Sequence, residues 1–384
     1  MKKKTLPSYL ARTKWFVFAL IAIILIIFGR TVETPSLSKS AVVLGIGIDY
    51  DESSSIFNVT AQCVLVGSSS GDTSETTFNT YSATGNTIAG AMDAISRKMG
   101  LIISLAHCNV VVMSESALKF DHLQLIYPLT GMYALPEQTI LVSCPEPPEK
   151  LLGLRVGTTL SAPFFLQQAL VNEEGSDGMI RTTSKDFLAR SLSKSEANAI
   201  PYIRINKLDA PPISQQGDDK DSYELIIGDA LVFNHDKFAI IEKEYAEVLA
   251  FYLAKDVTGT LNYTDENGGS MEFKILKKDV KLKANGRNLV AKVELSVDLS
   301  DVQNVVTDKV LSSADGIVKE YADKLAKDIE NKFVYLFEKS KEENIDYLNL
   351  QAKAYQSVGR TLEDDCLDTL SFEANVKIKV KETG

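Results

Sequence analysis

Gly45-Ile46-Gly47-Ile48-Asp49 is the first place in the chain where residue type and spacing could carry chemistry. Two glycines after an apolar run could cradle a pyrophosphate, but a dinucleotide fingerprint needs a third glycine to let a helix pack close. That position holds Tyr50, and Asp51 and Glu52 follow, whose charge would repel phosphate. The glycines are therefore read as points of close backbone approach or as a bulge within a sheet. Asp49, Asp51 and Glu52 could ligate Ca²⁺, yet no Asp-x-Asp-x-Asp-Gly loop completes the set, and a solvated acidic turn is expected. Ser82-Ala83-Thr84-Gly85 lacks the Gly-Lys-Ser/Thr ending of a phosphate loop and is read as a strand-to-helix turn. The histidines His107, His122 and His235 stand at no ligand spacing, and His107, leading into a strand, is read as a hydrogen-bonded structural residue. Cys63, Cys108, Cys144 and Cys366 include no Cys-x-x-Cys pair, which excludes zinc-ribbon and thioredoxin-type sites. Cys63 and Cys108 are read as small buried hydrophobes rather than disulfide partners. No residue is assigned a catalytic, cofactor-binding or metal-binding role, no enzyme activity is expected, and no cofactor is expected.

These residues lie in a chain of 384 residues with 45% hydrophobic and 24% charged side chains, the composition of a globular protein of two or three domains. Its formal charge of −10 is unevenly placed. Six of the 41 basic residues (Lys2, Lys3, Lys4, Arg12, Lys14 and Arg30) lie in 1–30 with no acid among them, leaving 35 basic against 51 acidic side chains beyond. So acidic a body is repelled by phosphate backbones, and no nucleic-acid partner is expected. Trp15–Phe28 (WFVFALIAIILIIF) is uninterrupted apolar sequence behind a basic flank, the pattern of an export signal or a signal anchor. Its length, a helix of about 21 Å, falls short of a hydrocarbon core of about 30 Å and favours a cleavable signal. Against that, no small-residue cleavage site follows, Lys14 and Arg30 can snorkel, and Gly29–Val32 can extend the span. Residues 1–32 are taken as a cytoplasmic basic tail with a retained membrane anchor, meeting lipid through Trp15–Phe28, and the rest of the chain as exported.

The exported part reads as α+β, with several mixed sheets flanked by helices. An N-terminal α+β domain spans 40–150, with strands at Ala41–Asp51, Phe57–Val66, Cys108–Met113 and Thr139–Ser143. Gly67–Phe78 reads as a polar loop, Tyr81–Thr87 as the opening of a helix, and Ile88, Met92, Ile95 and Met99 recur at helical spacing behind a Thr87 cap. A middle, mostly helical region spans 151–214, and the polar stretch Gln215–Ser222 is the linker candidate. A C-terminal α+β domain spans 222–384. In it Asn285-Gly286 is expected to close a hairpin pairing Leu282 with Leu289 and Val280 with Ala291. Ala314–Lys341 reads as a long amphipathic helix whose stripe Val318, Tyr321, Leu325, Ile329, Phe333 and Phe337 faces a core. Phe372–Val380 alternates as a half-buried strand.

Five segments, in order, resemble the Ger(x)C family, the C subunits of nutrient germinant receptors in endospore-forming bacteria. They are VVLGIGIDYD (Val42–Asp51), YSATGNTI (Tyr81–Ile88), AHCNVVVMSESAL (Ala106–Leu118), IGDALVFNHDKF (Ile227–Phe238) and FEANVKIKVKETG (Phe372–Gly384). The resemblance implies a three-domain α+β ectodomain on the outer face of the spore inner membrane. It also implies an A-type membrane subunit and a transporter-like B-type subunit as partners, and no catalytic residue. One departure stands out: family members are typically lipoproteins, whereas Phe28-Gly29-Arg30 offers no cysteine to take a lipid. The alternative function is that of an extracytoplasmic, membrane-anchored small-molecule-binding or envelope protein. A cell-wall hydrolase comes third and would need paired carboxylates in a cleft.

Overall fold

The computed structural model describes residues 17–18, 20–23, 40–65, 77–156, 160–171, 178–208, 222–235, 237–254, 259–305, 316–359 and 366–381. Most of the expected anchor Trp15–Phe28, and all of the linker Gln215–Ser222 but its last residue, lie outside them. No helix among the described residues is long and apolar enough to cross a membrane.

The chain opens with β1 (Ser40–Asp51), β2 (Ile56–Leu65), β3 (Thr77–Gly85), α1 (Ile88–Met99) and β4 (Ile102–Ser104). Then come β5 (Val110–Ser114), α2 (Glu115–Leu118), α3 (His122–Met132), β6 (Ile140–Cys144) and α4 (Pro148–Gly153). These strands form one mixed sheet in the order β3-β2-β1-β5-β6, with β4 also on β1. β1 runs antiparallel to β2 and parallel to β5, so it is hydrogen-bonded along both edges at the middle of the sheet. On one face Ile46, Ile48, Val59 and Met113 meet Met92 and Ile95 of α1 and Leu125 and Leu129 of α3. Thr87 caps α1 as its position suggests, its hydroxyl accepting from Gly90 N at 3.0 Å. The structure corrects the stretch before it: Tyr81–Gly85 is the end of edge strand β3, not a helix opening. Tyr81 pairs with Ala61 and Ala83 with Val59. A Thr/Ser-rich edge strand has too few apolar residues for its alternation to show in the sequence.

The middle of the chain contributes β7 (Arg155–Val156), β8 (Leu160–Ser161), α5 (Ala162–Val171), α6 (Ser184–Ser191), β9 (Asn198–Pro201) and β10 (Arg204–Leu208). α4 and α5 cover the second face of the large sheet, where Leu151, Leu152 and Leu166 meet Val110, Val112 and Val142. Beyond the polar stretch come β11 (Ser222–Ile226), β12 (Ala230–Phe233) and β13 (Phe238–Ile241). β11 pairs with β10, and β12 lies between β13 and β9, so strands from both sides of that stretch complete each other's sheets.

The last region holds α7 (Lys243–Leu253), β14 (Thr260–Thr264), β15 (Ser270–Asn285), β16 (Asn288–Gln303), α8 (Gly316–Glu343), α9 (Leu350–Val358) and β17 (Ser371–Val380). The sheet order is β14-β15-β16-β17, with β17 parallel to β16. All six stripe residues of α8 are buried with Phe273, Leu289, Val293 and Leu295 of the sheet. The β15–β16 hairpin forms, but its register differs from the expected one. Asn285 pairs with Asn288, Ala284 with Leu289 and Leu282 with Ala291. The two-residue loop is therefore Gly286-Arg287, and Gly286 has φ +65° while Arg287 does not have positive φ, as a type II′ turn asks. A shift of two positions preserves which face each side chain takes, so hydrophobic alternation alone does not separate the two registers.

Candidate functional site

Parallel strands β1, β5 and β6 end together, and in open sheets such carboxyl ends are where ligand sites form. Asp49 sits there, its Oδ1 accepting from Tyr50 N at 3.0 Å and from Ser116 Oγ at 3.0 Å. Tyr202 donates to Glu115 Oε1 at 2.5 Å, and Cys144 Sγ donates to the Glu146 carbonyl at 3.0 Å. Asp51 and Glu52 turn away from this group. Asp51 accepts from Ser53 N, Ser53 Oγ and Ser54 Oγ at 2.9, 2.6 and 2.7 Å, and these bonds hold its carboxyl down at about 2. Glu52 pairs with Lys119 at 3.1 Å in full view of solvent. The acidic turn therefore is a set of locally satisfied carboxylates, and among the described residues no group of three or more His, Cys, Asp or Glu could hold a metal ion.

The glycines ahead of Asp49 act by the space they leave. A Cβ on Gly45 would stand 2.5 Å from Pro163 Cγ and 2.9 Å from Leu152 Cδ2, and one on Gly47 would stand 2.6 Å from Pro148 Cβ. They let α4 and α5 lie against the backbone of β1, and a bulge falls between Val43 and Gly45. The close approach is as expected at the glycines, whereas the bulge falls on Leu44, just ahead of them.

None of the four cysteines is in a disulfide, and all are buried. Burial pushes the Cys63 thiol up to about 11 and those of Cys108 and Cys144 to about 12, and it raises Cys366 as well. Thiols so disfavoured as thiolates are poor nucleophiles and metal ligands. The run Gly67–Gly71 (Gly-Ser-Ser-Ser-Gly) has the spacing of a hydrolase elbow, though it lies outside the described residues. Among the described residues the next element after it is a strand, β3, where an elbow needs a helix.

The histidines take three different roles. His107 is exposed in the turn before β5 and makes no hydrogen bond among the described residues, which corrects the expectation of a hydrogen-bonded structural residue. It lies three positions before the strand begins and lines a cleft of about 550 Å³. His122 is fully buried, with Phe233 at 5.0 Å and Phe187 at 5.6 Å, and its Nε2 meets the Leu118 carbonyl at 3.0 Å. His235 stacks on it at 4.8 Å and sits 3.5 Å from Glu196. Burial first, and His235 second, lower His122 to about 4, while the Leu118 carbonyl and then Asp121 oppose them.

An unfolded histidine titrates near 6.5, so below that pH the unfolded chain takes up a proton that folded His122 refuses until about 4. The contribution is whole above pH 6.5 and falls on acidification by something on the order of 3 kcal/mol. Urea unfolding of wild type and His122→Leu at pH 7.5 and pH 4.5 should show the variant spared that part of the acid loss. Equal acid losses in the two proteins would contradict this role.

Glu115, Ser116 and Tyr202 were not legible as partners of the Asp49 region, because they reach it from 66 or more positions away along the chain. No signal in one sequence links them.

Residues 35–205 match the family model described as the spore germination protein N-terminal domain. Residues 228–384 match the one described as spore germination B3/GerAC like, C-terminal. No curated protein matches the chain. The fold is similar to that of the solved structure titled "Crystal Structure of the GerBC protein", at 14% identity and a TM-score of 0.50, covering 87% of this chain and 97% of that one. The two family models match in order and span most of the sequence between them, and the chain belongs to the Ger(x)C family of spore germination proteins, the C-subunit family of germinant receptors.

Proposed function

We propose that this chain serves as a non-catalytic C-type subunit of a nutrient germinant receptor, assembling with A-type and B-type membrane subunits at the spore inner membrane. Residues 1–32 form its basic tail and anchor, and the bulk stands on the extracytoplasmic face as an N-terminal unit (40–150), a middle region (151–214) and a C-terminal unit (222–384). The observation that carries this reading is the ordered match to both halves of the family. The chemistry at the strand ends supports it: the carboxylates described there are engaged in hydrogen bonds, and the Cys144 thiol is held protonated. Such a surface suits binding rather than turnover.

The test is co-purification. A tagged full chain extracted from spore membranes in mild detergent should bring down the A-type and B-type subunits in fixed proportion. An intact, abundant chain recovered without either would overturn the reading.

A further inference from the structure

The C-terminal ends of α6 and α7, the middle of β15 and the start of α9 enclose a cleft of about 540 Å³. Its polar side chains are mostly donors. Arg190 is half-buried, yet its guanidinium makes one hydrogen bond, to Thr182 Oγ1 at 3.4 Å, and no ion pair among the described residues. Asp186, one turn back on the same helix, attracts the guanidinium without forming an ion pair with it, its Oδ2 accepting from Thr183 Oγ1 at 2.7 Å. Tyr252 offers a phenol that makes no hydrogen bond among the described residues, and burial raises its pKa, so it stays a donor. Lys278 is held at the end of α7 by the carbonyls of Phe251, at 2.7 Å, and Ala254. Lys353 sits at the mouth, 3.2 Å from Gln356 Oε1.

The other acids nearby are engaged elsewhere. Asp279 is paired with Lys281. Asp346 spends its carboxylate on Leu350 N, Gln351 N and Ser195 Oγ. A guanidinium with five N–H groups, taken partly out of water and left with one long bond, is under-satisfied, and the ligand that suits it is a carboxylate read through two N–H groups. The rest of the wall is hydrocarbon, from Leu253, Val280, Leu282 and Leu348. An inorganic ion would leave that wall wet.

We propose that this cleft binds a small organic carboxylate, its oxyanion on Arg190 and the Tyr252 hydroxyl and its hydrocarbon part against the leucine-lined wall. Arg190 belongs to the N-terminal family match and the remaining lining residues to the C-terminal one, so the ligand ties the two matched parts together. The proposal does not depend on the receptor reading.

Isothermal titration of the full chain in detergent tests it, with butyrate and benzoate as probes and with phosphate and chloride at equal ionic strength as controls. Saturable binding of the organic acids is expected, weakened about tenfold or more by Arg190→Gln and less by Tyr252→Phe. If Arg190→Gln does not fold, Tyr252→Phe and Lys353→Gln, the latter at the mouth, give the same reading. No saturable binding of either acid, binding of phosphate alone, or binding that these substitutions leave unchanged would each overturn the proposal.

Discussion

Replacing Phe333 by alanine is expected to lower the stability of the folded chain by about 3–5 kcal/mol. Phe333 is fully buried at the middle of α8, the helix that covers the inner face of the β14–β17 sheet. Its ring meets Tyr252 edge-on at 5.7 Å and Phe372 of β17 at 6.4 Å. Truncation removes the burial of a whole aromatic side chain and leaves a void between helix and sheet that rigid strands on the far side do not close. Val334, one position on, is 45% exposed, and Val334→Ala should change stability by no more than about 0.5 kcal/mol. Urea unfolding of the two variants beside wild type gives the comparison. A Phe333→Ala loss within about 1 kcal/mol of zero would mean that α8 does not seal this core.

The same helix shows what a sequence makes legible. Six residues recurring three to four apart leave a 28-residue helix few alternatives, and its stripe lands on the core as expected. Thr87 announces α1 for a similar reason, since its cap is made within three residues. Features whose partners are remote stay hidden. α9 begins at Asn349, whose side chain makes no cap and whose φ is +54°. Its first amides are met instead by Asp346 from the preceding turn, so the usual start signal is missing. The β15–β16 register was ambiguous because both candidate loops obey the same alternation, and edge strand β3 was too polar to be read as a strand.

The site followed the same rule. Asp49 and the two glycines stood out in one short segment, and the packing role of the glycines could be read there. The donors of the carboxylate cleft come from four separate elements, and a lone arginine on a short helix carries no mark in the sequence. The family resemblance rested on five short segments and agrees with matches that cover most of the chain. What those segments share is local: strand ends, turns and a closing strand.

The second large effect concerns attachment. If the chain works by assembly, confining it beside membrane partners raises its effective concentration into a range that free diffusion does not reach, a gain of roughly a hundredfold or more. Removing Trp15–Phe28 behind a cleavable signal should therefore slow nutrient-triggered germination by about that factor, even with the folded part intact and exported. Asp49→Asn keeps the shape of the side chain and one acceptor for Ser116, so on the assembly reading, in which no turnover is at stake, it should leave germination within about twofold of wild type. The measurement is germination rate in spores carrying each variant, with the amount of the chain determined in the same spores. The account predicts a large loss for the untethered chain and near-normal germination for Asp49→Asn at equal abundance. Normal germination without the tether, or failure of a folded and abundant Asp49→Asn chain, would contradict it.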